Sequence, residues 1–335
     1  MTSENVIPHT PLVLPVGLPL VRARLTMRLL EDAQLPAQKG GMLRGGFGYA
    51  FQRAACPERC WGRSEQCDAA SVCPFRWVFA TPHPPQITRL HDLQDVPRPF
   101  VIEPPDDGRT HYHAGDALEF GLVLIGRGID HLAYFLFGFE RLGRMGLGRG
   151  NAKARLERVE ALRPWEPTGT VIFQDGHVPP SAEKLPQLSG AEITARAAAL
   201  PDSLRLTLRT PLRIKSGGDY IRSIDLSAIV RAICWRLDAL ATFHGQGPWS
   251  ASHRELAELA RSVRIENAHA EWVDWERTST RGEEPRSMNL GGIVGRAVLH
   301  GVPAELRAVL VAGSIIHAGK ACVFGHGALR LEPLQ

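Results

Sequence analysis

From Val21 onward, Val21, Ala23, Leu25, Met27 and Leu29 alternate with Arg22, Arg24, Thr26 and Arg28. A period of two predicts a strand with one wet face. After a polar loop, Leu43, Phe47, Phe51 and Ala54 recur at helical spacing, although Gly45, Gly46 and Gly48 weaken the helix by propensity. A packing or binding reason must retain those glycines. A strand is expected at Phe75 to Ala80, followed by a Pro-rich connection and a second alternating strand at Leu118 to Ile125. Leu132, Phe135, Leu136, Phe139 and Leu142 then share one side of a helix. That helix ends in the glycine-rich turn Gly143 to Gly150, and a last strand covers Ala154 to Ala161.

The same order returns. After a Pro-rich stretch around Pro179 to Pro186 and a short helix ending at Leu200, a strand is expected at Leu204 to Ile214. Leu226, Ile229, Val230, Ile233, Leu237 and Leu240 form the strongest helical stripe in the chain. Strands at about Ile265 to Trp275 and Ile293 to His300, a short helix carrying Leu306, Val309 and Leu310, a glycine-rich turn and a final strand at Ala328 to Leu331 complete the series. Strand, helix, strand, strand, helix, strand is the split βαβ order of a ferredoxin-like domain. The expected fold is therefore α+β, two ferredoxin-like (RRM-like) domains in tandem. The first is placed at 1–178, with a Cys-rich insertion at 56–73, and the second at 187–335. RNA-recognition modules share this fold, but fold alone does not fix function.

Composition narrows the classes. The 335 residues are 44% hydrophobic and 22% charged, as in ordinary globular chains. The segment Val6 to Val21 holds four prolines and no basic region precedes it. Neither a signal peptide nor a spanning helix is expected, and the cytoplasm is the expected compartment. Net charge is only +4, but Arg supplies 34 of the 39 basic residues. Its planar fork suits phosphate and stacks on bases, though a GC-rich genome yields the same bias.

Each half places glycines and basic residues after its last helix. Arg144 and Arg149 sit in the first turn. The second, Gly313 to Gly327, holds His317, Gly319, Lys320, Gly325, His326 and Gly327. Such turns let backbone N–H groups cradle phosphate oxygens while Lys320 supplies charge, although plain turn chemistry uses the same residues. Neither turn matches a P-loop or a Rossmann fingerprint, because the glycines follow a helix instead of linking a strand to one.

Four stretches of the second half carry a resemblance: Leu206-Thr-Leu-Arg-Thr-Pro-Leu-Arg-Ile-Lys215, the Arg231 to Arg236 helix, Leu290-Gly-Gly-Ile-Val-Gly295 and His317-Ala-Gly-Lys-Ala-Cys-Val-Phe-Gly-His-Gly327. Together with Met42-Leu-Arg-Gly-Gly-Phe-Gly48, Arg98-Pro-Phe-Val-Ile-Glu-Pro104, Gly115-Asp-Ala-Leu-Glu-Phe120 and Leu124-Ile-Gly126, the chain resembles the CRISPR-associated RAMP-superfamily endoribonucleases that process precursor crRNA. The resemblance implies binding of CRISPR repeat RNA and metal-independent cleavage, in which the ribose 2′-OH attacks the adjacent phosphate. The products carry a 2′,3′-cyclic phosphate and a 5′-hydroxyl, and the crRNA is retained or handed to effector-complex subunits; no membrane is involved. The alternative is a catalytically inactive crRNA-binding subunit of such a complex. In the family a catalytic His commonly lies on or beside the first helix, whereas no His occurs between Glu31 and Cys60. The matching segment offers Lys39, Arg44, Tyr49 and Arg53. Lys39, Arg44 and Tyr49, with His317 from the second turn, are the expected catalytic groups. Arg53, Arg144, Arg149, Gly319, Lys320, Gly325 and Gly327 are the expected RNA contacts.

Cys56, Cys60, Cys67 and Cys73 fall within eighteen residues. Clustered thiols in a chain without an export signal point to metal more than to disulfides. Four thiolates close a tetrahedral zinc site, although no C-x-x-C pair is present and an iron–sulfur cluster uses the same ligands. No cofactor is expected for catalysis itself. Trp272 and Trp275, three apart, are expected on opposite faces of their strand, one of them available for base stacking. Arg277 to Arg286 reads as a polar hairpin.

Overall fold

The computed structural model describes residues 12–61, 73–83, 87, 89–163, 165–166, 168–179, 185–279 and 286–334. It is a mixed α+β structure with antiparallel sheets. In the first half β1 (Leu20–Leu29) lies between β5 (Ala117–Ile125) and β6 (Ala154–Leu162), with β3 (Phe100–Glu103) and β7 (Gly169–Gln174) at the edges. The two-residue strands β2 (Ala33–Gln34) and β4 (His111–Tyr112) pair separately. In the second half β8 (Leu204–Leu212) lies between β14 (Gly292–His300) and β15 (Leu329–Pro333), and β11 (Arg264–Val273) edges the sheet.

The alternation read in β1 is the burial pattern found: Val21, Ala23, Leu25, Met27 and Leu29 are buried. They face α1 (Gly40–Ala55) and α3 (Leu132–Met145), whose aromatic side chains fill the core. The Phe47 ring stacks on Phe139 at 4.2 Å and on Phe135 at 5.3 Å. Such close helix packing explains Gly46 of α1 and Gly138 of α3. A Cβ on Gly46 would press into Leu142 of α3, and one on Gly138 into the Phe47 ring at 2.9 Å. In the second half α5 (Leu226–His244) and α7 (Ala304–Ile316) pack on β8 and β14. Between the halves, α4 (Gly190–Ala198) starts at a capping box made by Ser189 and Glu192.

One expectation is overturned. Phe75 to Ala80 is not a strand: Pro74–Phe79 forms the short helix α2, with Pro74 at its first position and Phe75, Val78 and Phe79 buried. A proline there presets helical φ and lacks only an N–H that would be unpaired anyway, which outweighs the strand preference of the aromatics. The strand that takes this place in the sheet is Phe100–Glu103, inside the stretch read as a Pro-rich connection.

The cores also meet. The apolar cluster of the second half takes in Leu18, Leu20, Val101, Val123 and Ile125 from the first. A hairpin follows α5 and α6 (His253–Leu259): β12 (Glu276–Ser279) pairs with β13 (Arg286–Asn289), as the Arg277 to Arg286 reading anticipates, while residues 280–285 lie outside the described ones.

Candidate nucleic-acid interface

The C-terminal glycine-rich turn is a folded plug. His317 at φ +64° ends α7, and Gly319, Gly325 and Gly327 take φ values of +77°, +88° and +69°. Internal hydrogen bonds run from Ala318 N–H to Gly327 O, Gly325 N–H to Cys322 O and Gly327 N–H to Pro211 O. Gly325 and Gly327, expected as RNA contacts, are buried with their N–H groups donating inward. Their lack of a side chain lets Gly325 lie against Pro104 and Gly327 against the Ala318 carbonyl. Lys320, at the tip, is exposed, and its N–H donates to Arg213 O at 3.0 Å.

His317, expected as a catalytic group, lies in the interior. It is 1% exposed, and both ring nitrogens are occupied: Nδ1 faces His326 O at 2.9 Å and Nε2 faces Glu103 Oε1 at 3.3 Å. Both contacts are satisfied only when both nitrogens carry hydrogens. Arg22 donates to the same carboxylate through Nε (2.9 Å) and Nη2 (3.2 Å). Burial pushes Glu103 up, but the His317 hydrogen bond and the Arg22 charge outweigh it and hold the carboxyl at about 2. The trio ties the two halves together at the edge of a groove of about 330 Å3 that also holds Arg24, Arg163 and Arg209. The first sheet carries matched charges: Arg24, which lines the groove, lies 3.9 Å from Glu160, Arg158 lies 2.9 Å from the same residue, and Arg28 bonds Glu157. Such a face lacks the aromatic platform of RNA-recognition sheets.

Lys39 is fully buried. Its Nζ donates to Asp107 Oδ1 at 2.9 Å and to Arg109 O at 2.6 Å, so the expected catalytic lysine instead pins the loop after β3. Arg44 lays its guanidinium against Phe79 (4.6 Å), Phe100 (5.6 Å) and Phe324 (5.8 Å). Tyr49 is 54% exposed on α1, with Arg53 stacked on its ring at 3.4 Å and over Trp61 at 4.6 Å. Arg144 and Arg149 are exposed; Arg144 pairs with Glu140 on its own helix. The two glycine turns border one segment: Gly148 lies against the Gln34 carbonyl and Phe324 O against Gly40.

Beside the second turn, Trp272, one of the two stacking candidates, belongs to a basic and aromatic strip whose other members sequence reasoning missed. Arg213 stacks on Tyr220 at 3.8 Å with Lys215 at 5.4 Å, the Tyr220 and Trp272 rings are 6.2 Å apart, and Arg222 covers Trp272 at 3.7 Å. Both rings are half-buried, while Lys215 and Arg222 are exposed. The signal was Gly217-Gly218, a two-residue hairpin turn with φ of +63° and +98° that joins β9 (Lys215–Ser216) to β10 (Asp219–Tyr220). Trp275 lies on another side, stacked on His326 at 4.3 Å.

Of the four clustered thiols, Cys56 and Cys73 approach to 3.7 Å, Cys60 is half-buried nearby in sequence, and Cys67 lies outside the described residues. Among the described residues no group of three or more His, Cys, Asp or Glu is placed to hold a metal ion.

Residues 18–185, half of the chain, match the family model AF_1859_N, an N-terminal domain, and residues 206–329 match the model of the CRISPR-associated endoribonuclease Cas6. The chain belongs to the AF_1859_N family, and its second half is similar to the Cas6 endoribonuclease model. The resemblance read from the glycine-rich stretches is thereby established. An uncharacterized protein of Archaeoglobus fulgidus is 23% identical over 318 residues, 92% of this chain and 97% of its own. Among solved structures, a partial Cas6-RT-Cas1–Cas2 complex aligns with a TM-score of 0.58 at 17% identity, over 96% of this chain. This chain spans about half, 47%, of that one. A Cas6 (TTHB231) product complex aligns with a TM-score of 0.52 at 16% identity, over 94% of this chain and 99% of the other. Thermus thermophilus Cas6 (TTHB231) aligns with a TM-score of 0.50 at 14% identity, over 94% and 99%. At these identities the structural likeness shows the fold.

Proposed function

We propose that this protein is a metal-independent endoribonuclease that cuts CRISPR repeat RNA in precursor crRNA and retains the product or passes it to an effector complex. The strip of Arg213, Lys215, Tyr220, Arg222 and Trp272 carries this reading. It offers cations for phosphates and π-faces for unpaired bases, and the backbone bond from Lys320 to Arg213 joins it to the second glycine turn. That turn abuts the start of α1, so RNA lying on the strip is led towards the segment 34–44. There the 2′-oxygen attacks phosphorus, the P–O5′ bond breaks, and the exposed cations Arg144 and Arg149, with half-buried Arg53, offset the phosphate charge.

The repeated strand order supports reading both halves as ferredoxin-like, 1–178 and 187–335, with 56–73 inserted in the first. The cytoplasm, where such transcripts are made, is the compartment this activity requires; among the described residues no helix is long and apolar enough to cross a membrane. The 3.7 Å between Cys56 and Cys73 suits two thiolates on one zinc ion, since ~2.3 Å bonds at tetrahedral angles separate sulfurs by about 3.8 Å. A structural zinc site with Cys60 and Cys67 is tested by metal analysis of the parent and Cys73→Ser.

A second reading, an RNA-binding subunit without catalysis, is favoured by the burial of Lys39 and His317. Incubating the protein with end-labelled repeat RNA in EDTA separates the two. A product ending in a 2′,3′-cyclic phosphate supports the enzyme, and tight binding without a cut supports the subunit.

A further inference from the structure

The corner between β1 and α1 presents a row of side chains that neither core nor strip uses. Gln34 pairs with His111 of β4 on one side and bridges to Arg149 on the other, with Arg149 N–H donating to Gln34 O at 3.1 Å. Residues directly opposed on antiparallel strands project to the same side, with Cβ atoms ~4.5–5.5 Å apart. Their neighbours Ala33 and Tyr112 are buried, and accordingly His111, Gln34 and Arg149 are all exposed on the outer side. Among the described residues Arg149 makes no ion pair, and Nε2 of His111 makes no hydrogen bond.

The ring is nevertheless held. Its Nδ1 lies 2.9 Å from Thr110 Oγ1, and the His111 carbonyl accepts from Arg109 Nε at 2.7 Å. Beneath it, the Thr110 carbonyl accepts from Leu35 N–H at 2.8 Å, and buried Lys39 grips the Arg109 carbonyl. The loop thus fixes an imidazole with one nitrogen open, one strand away from a neutral amide and two from an unpaired guanidinium.

We propose that His111 is the general base of RNA cleavage, with Arg149 holding the scissile phosphate and Gln34 positioned between them; this rests on the reading that the chain cuts RNA. The proton of the ribose 2′-OH moves to Nε2, the O2′–P bond forms as the P–O5′ bond breaks, and the departing O5′ takes a proton from solvent. The non-bridging oxygens lie against Arg149. The loop that carries His111 begins at Pro104, which touches Gly325, so RNA held at the second glycine turn passes along it to the row.

Single-turnover cleavage of repeat RNA in EDTA is measured for the parent, His111→Ala, His111→Gln and Arg149→Ala, each with its RNA affinity. A positioned base is worth ~10²–10⁴ in rate. Both His111 variants are expected to lose at least 100-fold in cutting while binding RNA within twofold of the parent, and added imidazole restores part of the His111→Ala rate. Arg149→Ala is expected to cut more slowly as well. A parent that cuts beside His111 variants that cut equally fast overturns the inference and leaves the endoribonuclease reading standing. A parent that binds and never cuts overturns both.

Discussion

Replacing Lys39 and replacing Asp107 remove the same ion pair from opposite ends, and their structural settings differ sharply. The Lys39 side chain is 0% exposed, whereas that of Asp107 is 44% exposed. Burial pushes the Asp107 carboxyl up, but hydrogen bonds from Lys39, the Arg109 N–H and the Tyr112 hydroxyl outweigh it and hold the group below the usual carboxylate range. Lys39→Met keeps the apolar stem and leaves a carboxylate that water can reach. The loss is that of a charge-assisted hydrogen bond, ~1.5–3 kcal/mol. Asp107→Ala removes both carboxylate oxygens and strands an ammonium in the interior beside the Arg109 carbonyl and the Tyr112 ring, 5.6 Å from Nζ. An uncompensated buried charge costs about 3–5 kcal/mol. Denaturant unfolding of both variants and of the double variant reads the difference. Asp107→Ala is expected to be the more damaging, and adding Lys39→Met to it to recover part of the loss. If Lys39→Met proves the costlier, or leaves stability intact while abolishing RNA cleavage, Lys39 is a chemical group and its structural assignment fails.

Three further outcomes follow from the same geometry. Gly325→Ala places a side chain at φ +88° against Pro104, so it should lower stability by at least the ~1–2 kcal/mol of left-handed strain and weaken RNA binding, as read by unfolding and filter binding. His244 and His326 are each lowered to about 4, in both cases chiefly by burial, His326 further by the charges of His317 and Arg213. The unfolded chain therefore takes up protons that the folded chain refuses between pH 6.5 and 4. Stability should fall as pH drops through that window by roughly 3 kcal/mol per histidine, with the loss blunted in His326→Gln. Trp272→Ala should weaken binding of unpaired RNA by ~5- to 150-fold, equivalent to ~1–3 kcal/mol for one stacked base, with little change for a blunt duplex in the same salt.

What the sequence revealed depended on how local each signal was. The alternation in β1 and the stripe of α5 are set by neighbours a few residues apart, and both elements stand where periodicity places them. Phe75 to Phe79 misled because an aromatic run suits strand and helix alike, and the decisive Pro74 lay just outside it. The glycine turns were legible as turns, but their chemistry was not. Whether Gly325 N–H faces a ligand or Cys322 O is decided by packing against Pro104, more than 200 residues away in the chain. His317 and Lys39 have chemically apt side chains, and only the fold reveals that Glu103 and Asp107 occupy them. The strip was legible only at Trp272, a stacking candidate: Tyr220 is unremarkable alone, and the two rings meet only when the β9–β10 hairpin folds over the edge of the second sheet. Likewise, His111 and Arg149 become neighbours only through Gln34.

The most direct test is a repeat RNA carrying a single 2′-deoxy sugar at the scissile nucleotide. Cleavage by the RNA's own hydroxyl predicts that this substrate binds as tightly as the all-ribose RNA and is left intact, while the all-ribose RNA is cut in EDTA at that one linkage. Cutting of the deoxy substrate at a comparable rate would contradict the mechanism.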